Sequence, residues 1–138
     1  MHAAPQDPAA RLIARMRAQR QSWVELEPAS DAQPAKRVQI LRPAESQVRD
    51  MIEPLPDQPG QFGIKVGLQH VKEFACDWDG ITEADLIGAA GASDAVPFSA
   101  ALWSEVVTDR AAWIAKTAQA ILDAILNHQR AAAADAKN

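Results

Sequence analysis

Apolar residues near the start of the chain recur at the spacing of a helix. Leu12, Ile13 and Met16 share one side of a 3.6-residue turn. Asp7 precedes Pro8, an order typical of a helix whose first position is a proline and whose cap is an acidic side chain. We therefore predict a helix from Pro8 to about Arg20.

A second apolar stripe lies near the end of the chain and predicts a long last helix that begins at Thr108 or Asp109. The helix before it is predicted to begin after a cap at Ser99. We expect the tail, residues 131–138, to fray, because it has no apolar side chain larger than alanine. The apolar stripe of the long last helix contains Ile114, Ala118, Ile121 and Ile125, and it is widened by Trp113, Leu122 and Leu126.

Two segments in the first third alternate polar and apolar residues, which is typical of strands. They are Ser22–Glu27, which also fits a helix, and Arg37–Arg42, which Pro43 must end because proline cannot donate to a ladder. We favour strands for both, joined in a β-hairpin over about 22–42. A lone hairpin is marginally stable in water, so this one should lie against helices.

The middle of the chain predicts short elements separated by Pro and Gly. Ala44–Ile52 reads as a short helix and Gly67–Asp77 as a longer one. Phe62–Val66 fits either a helix extension or a strand. Thr82 and Asp85 have the spacing of a capping box.

These elements predict an α+β fold, mainly α-helical, in a small single domain with a short hairpin packed on the helices. The 138 residues suffice for one domain, which we place at 8–130 between flexible termini at 1–7 and 131–138. The net charge of −4 argues against a nucleic-acid partner. A single cysteine allows no internal disulfide or zinc cage, and no apolar run is long enough for a membrane span or signal peptide. We therefore expect an intracellular protein.

Catalytic and ligand-binding patterns are weak in this sequence. None of the three histidines, His2, His70 and His128, has a nucleophile or acid at a telling spacing. Cys76 reads as a small buried apolar residue on a helix. The acidic residues after it lack the order of a calcium loop, because a glycine comes too early and an isoleucine replaces a ligand. We predict no catalytic, cofactor or metal site.

Two features suggest binding to another protein. Arginines at positions 11, 15, 17 and 20 follow one another without an intervening acid, which indicates a solvated face or a surface for an acidic partner. Four tryptophans supply large apolar area, and most should be core. Trp103 and Trp113 are candidates for an exposed hot spot.

The chain resembles the small tail assembly chaperones of long-tailed bacteriophages and prophages over roughly residues 8–130. The resemblance follows the Arg-rich helix, the segments 23–26 and 36–45, and two later stretches at 77–86 and 96–103. Its most specific part is a Trp-x-Gly-Ile and Pro-Phe-Ser pattern. The motif residues are Trp78, Gly80, Pro97, Phe98 and Ser99.

The resemblance implies a non-enzymatic protein in the host bacterial cytoplasm. Such chaperones bind and shield the tape-measure protein and promote assembly of the tail-tube protein around it. A minor virion component, such as a neck or tail-completion protein, is the alternative, and a small enzyme or regulatory subunit is a third class. A homo-oligomer is possible. The expected contact surface contains Arg11, Arg15, Trp103, Trp113, Ile114, Ile121 and Ile125.

Overall fold

A computed structural model describes residues 7–137 of the chain. Residues 1–6, which include His2 and most of the expected flexible N-terminus, lie outside the described part, as does Asn138. The fold is α+β and mainly helical, as predicted. The helices are α1 Pro8–Gln19, α2 Glu45–Val48, α3 Leu68–Phe74, α4 Glu83–Ile87, α5 Ala100–Thr108 and α6 Ala111–Lys137. The strands are β1 Gln21–Glu27, β2 Lys36–Leu41, β3 Ile52–Pro54, β4 Phe62–Ile64 and β5 Ala75–Asp79.

The predicted first helix and hairpin are both present. The side chain of Asp7 accepts from the backbone N–H of Ala9 at 3.4 Å, and Pro8 is the first residue of α1. β1 follows α1 after a single residue and pairs antiparallel with β2. The alternation read from the sequence therefore describes strands and not a continuation of the helix.

The predicted helix Gly67–Asp77 is wrong in its last three residues. α3 ends at Phe74, and Ala75–Asp79 form β5, which pairs antiparallel with β2. The spacing that favoured a helix holds only up to Phe74. Beyond it, Trp78 is buried between two exposed aspartates, which is the period of a strand. β5 pairs with the edge of β2 that β1 leaves free. The local sequence pattern could not reveal this pairing, because the two strands are far apart in the chain.

Two segments in the middle of the chain form a second, two-stranded sheet. The predicted helix Ala44–Ile52 is α2 followed by a 3₁₀ turn, Arg49–Met51, and it ends before Ile52. Ile52 instead begins β3, which pairs antiparallel with β4, the strand alternative for Phe62–Val66. This second hairpin was not predicted.

The core lies on one face of the three-stranded sheet, whose strand order is β1-β2-β5. β2 is central, and its inward side chains alternate with half-buried ones. α6 contacts β1 and β2, α5 contacts β5, and α3 packs on both α5 and α6. The main buried apolar residues are Leu26, Val38, Ile40, Val71, Phe74, Trp78, Ile81, Trp103, Val107, Trp113, Ile121 and Ile125.

The ends of the last two helices follow the predicted caps in part. Ser99 accepts from the N–H of Leu102 at 3.0 Å at the start of α5. α6 begins at Ala111, a few residues after the predicted Thr108 or Asp109. It continues to Lys137, so the helix extends into the segment expected to fray.

Candidate functional site

Four residues of the expected contact surface are core residues instead. Trp103 and Ile121 are fully buried, and Trp113 and Ile125 are nearly so. In this fold they offer no surface to a partner, which corrects the expectation from sequence. The apolar stripe of α6 marks the face that covers the sheet.

The two tryptophans join α5 and α6 to the rest of the core. Their rings stack with centroids 6.4 Å apart. Trp103 Nε1 donates to the carbonyl of Val71 at 3.0 Å, and Trp113 Nε1 donates to Glu27 Oε2 at 3.1 Å. Each indole N–H thus has an acceptor within the protein, as a buried indole requires.

The remaining members of the expected surface divide between core and solvent. Ile114 is half-buried and packs against the core cluster. Arg11 and Arg15 are exposed on α1, in agreement with a solvated face.

The Trp and Pro-Phe-Ser motifs come together in space. Trp78 and Phe98 meet edge to face with centroids 5.6 Å apart. Trp78 Nε1 donates to the carbonyl of Val96, directly before Pro97, at 2.6 Å. With Gly80 at the turn after β5 and Ser99 capping α5, these motif residues hold the segment of residues 80–99, which includes α4, against the sheet. These contacts give the motif residues a structural role in the packing of the fold.

α1 carries an apolar face that the fold leaves uncovered. The helix has no buried residue, and Leu12, Ile13 and Met16 are 58%, 56% and 63% exposed. Trp23, soon after α1, is 41% exposed and lies under the guanidinium of Arg37 at 4.6 Å. The sequence pattern identified this apolar side of α1, but it could not show that nothing in residues 7–137 covers it.

An open groove of about 910 Å³ runs between the second half of α1 and the middle of α6. Ile13 and Met16 contribute apolar wall, and the two ends of the hairpin contribute Gln21, Ser22 and Arg42. The groove also contains charged and polar side chains: Arg17, Gln19, Arg20, Asp123, Asn127 and His128.

The arginines of this groove have few acceptors in the protein. Arg20 Nε is buried and finds no acceptor among residues 7–137. Arg42 Nη1 donates to the carbonyl of Pro43 at 3.1 Å. Burial and the nearby charge of Arg20 lower the pKa of Arg42, against an opposing effect of Glu45. Sequence reasoning missed Arg42, because only the pairing of β1 with β2 brings it beside the end of α1.

His128 lies in the second half of α6, about nine residues before the helix ends at Lys137. Its Nε2 is 3.2 Å from Glu45 Oε1, on a surface where the glutamate is largely exposed. His70 closes the first turn of α3, where its Nδ1 accepts from the N–H of Gly67 at 2.9 Å. Neither histidine contacts a nucleophilic side chain in the hydrogen bonds of residues 7–137.

The acidic residues after β5 have structural partners. Asp85 and Thr82 form the predicted capping box, in which Asp85 Oδ2 accepts from Thr82 N at 2.8 Å. Asp85 also lies 3.4 Å from Lys36 Nζ in a mostly buried pair. Burial raises the pKa of Asp85, but the hydrogen bonds from Thr82 and the charge of Lys36 outweigh it and lower the pKa overall. In residues 7–137, no three side chains of the metal-ligating types cluster.

Cys76 is half-buried on β5 and not a helical core residue as predicted. It occupies the register shift between β2 and β5, with Sγ 3.5 Å from the carbonyl of Gln39. Burial raises the pKa of the thiol, and the charge of Asp77 adds to this, while Arg17 opposes it. The thiol is therefore held mainly in its protonated, poorly nucleophilic form.

Comparison with known proteins finds no matching family model, no matching curated protein and no matching solved structure. Within residues 7–137, no helix has both the length and the apolar character needed to cross a bilayer.

Proposed function

We propose that this chain is a non-enzymatic binding protein that acts as a phage tail assembly chaperone in the host bacterial cytoplasm. It binds and shields the tape-measure protein while tail-tube protein assembles. The observation that supports the proposal best is the uncovered apolar face of α1, formed by Leu12, Ile13 and Met16. The motif resemblance supplies the identity of the partner.

The geometry of α1 suits the capture of another helix. An amphipathic helix that buries nothing in its own fold can lay its apolar stripe against that of a partner, with anchors at helical spacing. Three adjacent apolar side chains are a small contact, so the complex should be reversible. Reversibility is what a chaperone requires, because tube subunits must displace it.

Co-expression with a phage tape-measure protein tests the proposal, and the candidate to choose is a large tape-measure reading frame in the same gene neighbourhood. We expect the wild-type chain to raise the soluble fraction of that protein, measured by quantitative blotting after centrifugation. The double variant Ile13→Asp, Met16→Asp should lose this effect and remain folded, since both side chains are exposed in the isolated chain.

The matched control is Ala14→Asp, Ala18→Asp, which places two aspartates on the opposite side of the same helix. It should retain the solubilising effect, with circular dichroism of both variants as a check on helicity. If neither the wild type nor the control improves solubility, the chaperone function is wrong. Finding the chain in purified virions would favour a minor structural component instead.

A further inference from the structure

The groove beside α1 combines an apolar wall with an excess of positive charge. Arg17, Arg20 and Arg42 line it, against one carboxylate in the groove, that of Asp123, and a second next to Arg20 and Arg42, that of Glu45. Asp123 already accepts from Gln119 Nε2 at 2.9 Å. The chain as a whole has a net charge of −4, so this concentration of arginine is local.

The backbone holds two of these arginines together without neutralising them. The N–H of Arg42 donates to the carbonyl of Arg20 at 2.7 Å, which fixes the two residues side by side where α1 enters the sheet. Among residues 7–137, neither makes an ion pair. A guanidinium has five N–H donors, and the hydrogen bonds among residues 7–137 use only one donor of this pair, Arg42 Nη1 to the carbonyl of Pro43.

We propose that the groove binds a partner helix that carries carboxylates beside its apolar stripe, and that Arg20 and Arg42 bind those carboxylates. This inference rests on the function proposed above and specifies the chemistry of the partner. A carboxylate accepts two parallel hydrogen bonds from a guanidinium, which fixes orientation as well as charge. The apolar residues of the same helix would contact Ile13 and Met16.

Charge disfavours a second copy of this chain as the occupant. The α1 of a second copy would bring four more arginines to the groove. No acidic residue between Asp7 and Glu25 would offset their charge. Like charges placed against each other oppose association. An acidic helix has the complementary charge.

Fluorescence anisotropy with two labelled peptides tests the inference. Both peptides share one leucine stripe at helical spacing, and their polar positions carry glutamate in one and glutamine in the other. We expect the wild-type chain to bind the glutamate peptide about tenfold more tightly. Arg20→Gln, Arg42→Gln should abolish this preference and still bind the glutamine peptide.

The matched control is Arg49→Gln, Lys65→Gln, which removes the same charge from exposed positions outside the groove. It should keep the preference. Arg17→Gln provides a further variant at an exposed position, should the Arg20 and Arg42 pair prove necessary for folding. We expect it to lose part of the preference.

The possible outcomes separate this inference from the function on which it rests. Equal binding of the two peptides, or equal losses in the groove and control variants, would overturn the acidic partner and leave the apolar docking face intact. Absence of binding by both peptides would count against the docking face itself. A dimer in sedimentation that Ile13→Asp dissociates would assign the groove to a second copy and overturn the inference.

Discussion

At the turn after β5, Gly80 combines a φ of +76° with a close approach to the backbone of the β1–β2 loop. A Cβ at this position would press against the carbonyl oxygen of Ala35. Both the dihedral angle and the contact exclude a side chain. The glycine of the Trp-x-Gly motif is thus explained by the backbone path it allows.

We predict that Gly80→Ala lowers the free energy of unfolding by about 3 kcal/mol, the sum of a left-handed backbone penalty and overpacking. Gly60→Ala is the matched control, because Gly60 has a φ of +81° and open space around its Cα. It should cost only about 1 kcal/mol. Urea unfolding measures both, and equal losses would show that the Ala35 contact is unimportant.

Asp85 should make the stability of the protein depend on acid pH. Its pKa in the folded chain lies below the ordinary value of 3.8, so ionised Asp85 favours the folded state. This contribution is complete above pH 3.8 and is lost as the pH falls through the lower, folded value.

We predict that Asp85→Asn costs about 2 kcal/mol at pH 7, because Lys36 loses its buried counter-charge but keeps its bond to Gln33 Oε1. The difference from wild type should shrink below pH 3.8, as measured by urea unfolding across pH. Asp57→Asn, at an exposed turn, controls for the loss of a carboxylate. A difference that persists unchanged at low pH would contradict the role of the charge.

At the scale of elements, α1 and α6 are both amphipathic, but only α6 buries its apolar side. The stripe of α6 covers the sheet, with Ile121 fully buried. The stripe of α1 faces outward, with Met16 63% exposed. The sequence predicted both helices and could not tell which stripe would be covered, since each follows the same periodicity.

We predict that Ile121→Ala lowers the free energy of unfolding by about 3 kcal/mol, because it removes buried methyl groups and leaves a cavity. Met16→Ala should change it by less than about 0.5 kcal/mol. Chemical denaturation of the two variants provides the comparison. A large effect of Met16→Ala would mean that α1 packs on the fold and is not a free docking face.

At the scale of the whole molecule, the contacts are distributed unevenly. β2 has a strand on each side and helices on one face, whereas α1 buries no residue. Local opening follows the number of buried contacts, so different parts should open at different free energies.

We predict that amide hydrogens of β2 exchange slowest and those of α1 fastest among the regular elements near the hairpin. Hydrogen exchange followed by mass spectrometry can resolve the two segments. Binding of a partner at the docking face should slow exchange in α1 selectively. Protection of free α1 comparable to that of β2 would contradict the exposed position of the helix.

Local patterns along the chain determined much of the architecture. The Asp7-Pro8 start, the hairpin at about 22–42, and the box of Thr82 and Asp85 depend on neighbours in sequence, so the sequence predicted them correctly. The α+β class follows from these elements. The phage chaperone assignment, which depends on a resemblance in motifs, stays a prediction.

Only the tertiary structure decided which surfaces are buried and which distant residues meet. Ala75–Asp79 form a strand because they pair with the free edge of β2. Arg42 lies beside Arg20 because β1 pairs with β2. The tertiary structure also buried Trp103 and Trp113 and left α1 uncovered. Each outcome depends on contacts between residues far apart in the chain, whereas periodicity reports only which side of an element is apolar.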